Sequence, residues 1–148
     1  MKIAVGCDHA GLPAKKQVVE TLRLAGHDVI DLGTNTEESV DYPDYALAVA
    51  KQILTGDAEM GILCCGTGLG MCMTANKVPS IRAALCHNVY TAEMARRHND
   101  ANVLCIGARV LDDATVDSVV ETFVDTPFDG GRHERRVDKI NAVDGLRE

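Results

Sequence analysis

Short apolar runs alternate along this chain with segments of helical period, and that alternation restricts the fold more than any single motif. The runs are Ile3-Ala4-Val5, Val29-Ile30, Ile62-Leu63-Cys64, Ala83-Ala84-Leu85 and Val103-Leu104-Cys105-Ile106. They are continuously apolar, so each reads as a strand covered on both faces. Between them, Val18, Leu22 and Ala25 line one helical face, and Gly26 supplies a stop. Ala46, Val49, Ala50 and Ile53 repeat at helical spacing, with Pro43 near the start and Gly56 after the end. Val116, Val119, Val120 and Phe123 repeat likewise after the acidic start Asp112-Asp113. The pattern predicts an α/β fold: a single Rossmann-like doubly wound domain over residues 1–148, with a five-stranded parallel sheet and helices on both faces. No linker, repeat or low-complexity stretch divides it. A C-terminal helix is expected to run to about Val143.

Charge and cysteine usage exclude several classes of function. The net charge is -7, a poor match to nucleic acid or an anionic membrane surface. No apolar run is long enough to span a bilayer, and the start Met1 to Asp8 lacks the apolar core of a secretory signal. Of the six cysteines, most sit inside apolar runs, and no C-x-x-C pair occurs. Reduced thiols in the cytoplasm are therefore expected.

In open parallel sheets, ligands bind beyond the carboxyl ends of the strands. Three clusters fall there: Cys7-Asp8-His9, Cys65-Gly66-Thr67-Gly68-Leu69-Gly70, and Gly107-Ala108-Arg109. The glycine loop follows a strand and opens a helix, so its N–H groups suit an anion. Its spacing is neither the dinucleotide fingerprint nor a P-loop, and a plain tight βα turn competes evenly with a binding role. Cys65 shifts that balance. A thiol beside several N–H groups is favoured in its ionised form, and a thiolate serves as nucleophile or base. Cys64 points to the other face of its strand and reads, with Cys7 and Cys105, as an inert core thiol.

His98-Asn99-Asp100 lies after a helix spanning about Val89 to Arg97 and before the fifth strand. That is the amino edge of the sheet, so His98 meets Cys65 only across a subunit boundary. By position alone, a histidine at a helix C-terminus that answers the dipole is the better reading. The segment from Phe128 to Arg136 also departs from the pattern. Its Arg132 and Arg136, spaced i, i+4 after Gly130-Gly131, suit a phosphate or carboxylate, against the commoner alternative of a solvated charge run paired with Glu134 and Asp138. Asp41-Tyr42-Pro43-Asp44 reads as a helix start. His27, His87 and His133 carry no distinctive context and read as structural or surface groups.

Taken together, Gly6-Cys7-Asp8-His9-Ala10-Gly11, Asp41-Tyr42-Pro43, the loop Cys65 to Gly70, Arg96-Arg97-His98-Asn99-Asp100-Ala101-Asn102-Val103 and Gly130-Gly131-Arg132-His133 resemble the type B ribose-5-phosphate isomerase family. That family also includes galactose-6-phosphate isomerase subunits, and the resemblance runs in order from Met1 to about Val143. It implies interconversion of ribose 5-phosphate and ribulose 5-phosphate, a step of the pentose phosphate pathway, through a cis-enediolate and without metal or cofactor. It implies Cys65 as the base, Thr67 as a helper of proton transfer among the oxygens, and His98 as the ring opener. The loop Gly66, Gly68, Leu69 and Gly70 would hold the enediolate through backbone N–H groups. Asp8, Asp41 and Asn99 would hold hydroxyls, and His9, Arg109, Arg132 and Arg136 the phosphate. Homodimers, sometimes paired into tetramers, with sites shared between subunits are implied as well. Some members carry a glutamate base in the loop; the matching position here is Leu69, which leaves Cys65 in that role. The same residues leave open an isomerase of a six-carbon sugar phosphate (allose or galactose 6-phosphate) and, on the fold alone, a non-catalytic nucleotide-binding module. A thiol-redox or metal protein is disfavoured by the scattered cysteine spacing.

Overall fold

In the computed structural model, which describes residues 1–147, five strands form one parallel sheet in the order β2-β1-β3-β5-β4. They are β1 (Lys2–Cys7), β2 (Asp28–Asp31), β3 (Met60–Cys65), β4 (Ala83–Leu85) and β5 (Val103–Gly107). Each predicted apolar run became a strand. The three central strands are shielded from solvent almost throughout, as continuous apolar character requires.

Side-chain alternation splits the core in two. Ile3, Val5, Ile62, Cys64, Leu104 and Ile106 face α1 (Leu12–Leu24), α4 (Val89–Asn99) and α5 (Asp113–Asp125). Ala4, Leu63, Cys65, Val103 and Cys105 face α2 (Tyr42–Leu54) and α3 (Leu69–Ala75). The sequence periodicities explain the pairing. Val49 and Phe123 are fully buried from α2 and α5, and burying such a side chain contributes about 1.5–3 kcal/mol. Asp112 caps α5 by accepting the Thr115 N–H at 2.8 Å, and Asn88 caps α4 through Thr91 at 2.8 Å.

One expected face position differs. Ala25 is exposed, because α1 ends at Leu24 and Ala25 is its C-cap, donating to the Thr21 carbonyl; Gly26 then turns away at φ +87°. The last helix, α6 (Arg132–Ala142), packs Val137 inward and runs into a 3₁₀ turn at Val143–Arg147. Among the described residues, no helix is long and apolar enough to cross a membrane.

An ion pair not anticipated from the sequence joins α1 to the end of β2. The ammonium of Lys15, only 2% exposed, lies 3.0 Å from both Asp31 carboxylate oxygens and 2.8 Å from Asn35 Oδ1. Each donor direction has an acceptor, which is what makes burial of this charge tolerable.

Candidate active site

β1, β3 and β5 end level with one another: Cys7 pairs with Cys64, and Cys65 with Gly107. Their carboxyl ends open into a cavity of about 290 Å³ lined by Asp8, His9, Ala10, Tyr42, Cys65, Gly66, Thr67, Gly70 and Arg109. Three larger depressions, of about 560, 510 and 380 Å³, lie along α1 and contain neither the thiol nor the glycine loop.

Cys65 closes β3 with its side chain on the α2/α3 face, 5% exposed. Its sulfur accepts the Gly68 N–H at 3.1 Å. Gly68 supplies that donor from a left-handed conformation, φ +81°, which places the N-cap of α3 over the sulfur. The amide contact thus comes from the loop itself, since α3 begins only at Leu69. Thr67 is exposed at the rim, its hydroxyl oxygen accepting the Leu69 N–H at 3.3 Å. Leu69 is half-exposed and carries no group able to accept a proton.

The other walls are fixed as firmly. Asp8 is buried, and its Oδ1 accepts the Gly11 N–H at 2.9 Å, closing a tight turn that leaves further acceptor capacity on the carboxylate. His9 Nδ1 accepts the Val40 N–H at 3.2 Å, so Nε2 is the nitrogen that carries a proton in the neutral ring. Arg109 lies across Gly66, where an added Cβ would sit 3.2 Å from Nη1. Tyr42 stands on Gly70 so closely that a Cβ there would be 2.2 Å from its ring. Tyr42 and Ala10 line the cavity, yet neither was singled out by chemistry in the sequence. The sequence signal for Tyr42 is the Asp41-Tyr42-Pro43 motif, in which Asp41 is the residue with obvious binding chemistry. Asp41 is the exposed N-cap of α2, beside the cavity wall that Tyr42 forms.

The remaining cysteines behave as core groups or neighbours. Burial pushes the Cys7 thiol up to about 11 and the Cys64 thiol well above the ordinary range. Cys105 is also raised, first by its contact with Cys72 and then by burial. Cys72, on α3, is lowered to about 7, chiefly because the Cys105 thiol donates to it. All six are free.

The expected residues His98, Asn99, Arg132 and Arg136 are gathered elsewhere. His98 and Asn99 end α4 and precede β5, at the amino edge of the sheet, away from Cys65. Arg132 and Arg136 are exposed on the first turns of α6, and among the described residues neither enters an ion pair. His133, read from the sequence as a group without context, instead stacks on His98, ring centroids 4.2 Å apart and planes at 11°. Its pKa is held below the ordinary value by desolvation and then by the charges of His98, Arg132 and Arg136. Arg97 grips Asp129 nearby, Nε lying 3.2 and 3.1 Å from the two carboxylate oxygens. The contact of α4 with α6 brought these together, and sequence spacing carries no trace of it.

A buried thiol, a carboxylate, an imidazole and a guanidinium around backbone amides, at the carboxyl edge of a doubly wound sheet, define an α/β enzyme acting on a small anionic molecule. Comparison with known proteins makes this specific. Residues 3–140 match the Ribose/Galactose Isomerase family. The chain is 43% identical over 146 residues to "Ribose-5-phosphate isomerase B" of Escherichia coli, covering 99% of this chain and 98% of the relative. It is 45% identical over 140 residues to "Probable ribose-5-phosphate isomerase B" of Mycoplasma genitalium, covering 93% and 92%. Among solved structures, Clostridium thermocellum ribose-5-phosphate isomerase B superposes with a TM-score of 0.98 at 47% identity, over 100% of both chains. The type B ribose 5-phosphate isomerase of Trypanosoma brucei gives 0.93 at 49% identity, over 96% of this chain and 97% of that one. The chain belongs to the Ribose/Galactose Isomerase family and is an isomerase.

Proposed function

We propose that this isomerase interconverts ribose 5-phosphate and ribulose 5-phosphate, with Cys65 as the base and a cis-enediolate between them. The observation that carries the reading is the Cys65 sulfur itself: it borders the cavity, shielded from bulk water, with the Gly68 amide 3.1 Å away. In the forward direction the thiolate removes the C2 proton of the open-chain aldose. The C–H electron pair becomes the C1=C2 double bond and the carbonyl pair moves onto O1. A proton passes from O2 to O1 with Thr67 placed at the rim to assist, and the Cys65 thiol returns its proton to C1, giving the ketose. Abstraction next to a carbonyl needs a base of suitable strength and fixed dipoles where charge develops. The Gly68 amide, already on the sulfur at 3.1 Å, is one such dipole, and the amides of Gly66, Leu69 and Gly70 are read as the others.

Asp8 and Asp41 are read as hydroxyl ligands on this rim, and His9 and Arg109 as phosphate ligands. Binding energy from the unreactive phosphate then orients C1 and C2 against the sulfur. His98 as ring opener, with Asn99, Arg132 and Arg136, is supplied by a partner subunit, because one chain holds it at the opposite edge of the sheet. Residues 1–148 act as one sugar-phosphate isomerase domain in a homodimer. Proton transfer at this site calls on no metal or cofactor, and an unmodified thiol base fits a reducing, cytoplasmic setting. The deciding experiment is an isomerase assay with ribose, allose and galactose phosphates on wild type and Cys65→Ala. Preference for ribose 5-phosphate with loss in the variant supports the reading. Full turnover in Cys65→Ala eliminates the base, and preference for a six-carbon substrate eliminates the assigned sugar.

A further inference from the structure

The amino-edge cluster is also a set of metal donors. His98, Asp129 and His133 each place a ligand atom within 4.8 Å of the other two. They come from three places: the last turn of α4, the loop between α5 and α6, and the first turn of α6. The arrangement is held from several sides. Arg97 binds both Asp129 oxygens through Nε, and the Asp129 N–H donates to the Arg97 carbonyl at 3.1 Å. Gly130 and Gly131 take φ +66° and +57°, conformations that reverse the chain within a few residues. The His133 N–H then donates back to the Gly130 carbonyl at 3.1 Å.

We propose that His98, Asp129 and His133 form a three-ligand site for a borderline divalent transition ion, with Zn²⁺ as its representative, and that the ion inhibits the enzyme by occupying the His98 imidazole. Two imidazoles and one carboxylate match zinc, cobalt or nickel, whereas calcium and magnesium take oxygen ligands. A tetrahedral ion with bonds of about 2.0–2.1 Å spaces its ligand atoms about 3.3 Å apart, so from a spread of 4.8 Å the groups close by about 1.5 Å at most. Stacked rings present their nitrogens side by side; converging on an ion exchanges the stack for two coordinate bonds through side-chain rotation. Asp129 need not release Arg97, because a carboxylate has two oxygens and about four acceptor positions. A fourth coordination position stays open. The inhibitory half rests on the ring-opening role proposed for His98.

Cysteines are the obvious competitors for such an ion, so the test separates nitrogen and oxygen ligation from sulfur. The full chain is titrated with Co²⁺ by absorption spectroscopy and with Zn²⁺ by calorimetry, in wild type, Cys65→Ala, Asp129→Asn and His133→Asn. The expected result is one ion per chain, no sulfur-to-cobalt charge-transfer band, equal affinity in Cys65→Ala, and about tenfold or greater loss in both other variants. Circular dichroism of each variant confirms that the fold is kept, and His98→Asn provides a third ligand removal should one variant not fold. A thiolate band, unchanged affinity in the folded ligand variants, or no saturable binding overturns the site. In parallel, Zn²⁺ is expected to slow isomerisation and EDTA to restore it. Binding without inhibition overturns the inhibitory role alone. Unchanged turnover in His98→Asn instead brings down the ring-opening assignment.

Discussion

The two edges of the sheet are built to different standards. At the carboxyl edge the Cys65 thiol is 5% exposed, and the glycine loop threads through tight contacts. A Cβ on Gly68 would meet Leu85 Cδ1 at 2.5 Å, and one on Gly70 would meet the Tyr42 ring at 2.2 Å. At the amino edge, Gly130 and Gly131 have no atom within 4 Å of an added Cβ, and Arg132 and Arg136 stand in solvent. The first edge is a cavity whose walls, from Asp8 to Arg109, come from tightly packed residues of this chain. The second is a group of charged and imidazole side chains close to solvent. Reacting atoms need the rigid edge, because misplacement by an ångström is costly. The ring-opening role proposed for His98 makes the looser edge useful only through the proposed association.

Replacing the proposed base tests that contrast most severely. Cys65→Ala is expected to lower kcat by about 10²–10⁴-fold with an unchanged circular dichroism spectrum. Next comes His98→Asn, with an expected loss of about 10²-fold. Mixing the two inactive proteins sharpens the point. In the proposed homodimer, random exchange makes about half of the dimers mixed, each with one intact site of two, so about a quarter of wild-type activity returns. No recovery, despite exchange verified by mass spectrometry, would falsify the sharing of sites.

Stability separates the edges at two glycines of the same handedness. Gly68→Ala combines a left-handed backbone with a clash and is expected to cost about 2–5 kcal/mol in urea denaturation. Gly130→Ala meets open space and should cost only about 1–2 kcal/mol. Equal costs would mean that packing around the glycine loop is looser than the contacts imply. The smallest effect concerns Cys72, whose thiol is lowered to about 7 by the Cys105 contact. Between that value and about 9, the folded chain has released a proton that the unfolded chain still holds, so this group's contribution rises with pH. The Tm difference between wild type and Cys72→Ala should widen from pH 7 towards 9 and level off below 7, where only the lost packing and hydrogen bonds remain.

Much of this was legible in the sequence. Continuous apolar runs announced a covered parallel sheet, and the helix stops at Gly26 and Gly56 fell where periodicity put them. Cys65 and its glycine loop could be singled out because their chemistry lies in neighbouring residues. Tyr42 escaped, since a tyrosine after an aspartate at a helix start has an ordinary capping explanation and its contact with Gly70 spans 28 positions. Lys15 with Asp31, and His98 with His133, escaped for the same reason.

Local chemistry therefore fixed the strands, their helices and the place of Cys65 at the end of β3 before a glycine loop, because hydrophobic period and backbone preference act over a few residues. What only the tertiary structure decided was company: which ring stacks on His98, which aspartate Arg97 holds, which tyrosine walls the cavity. Those choices depend on helices packing across a sheet, where partners are set by distance in space and leave no spacing to read along the chain.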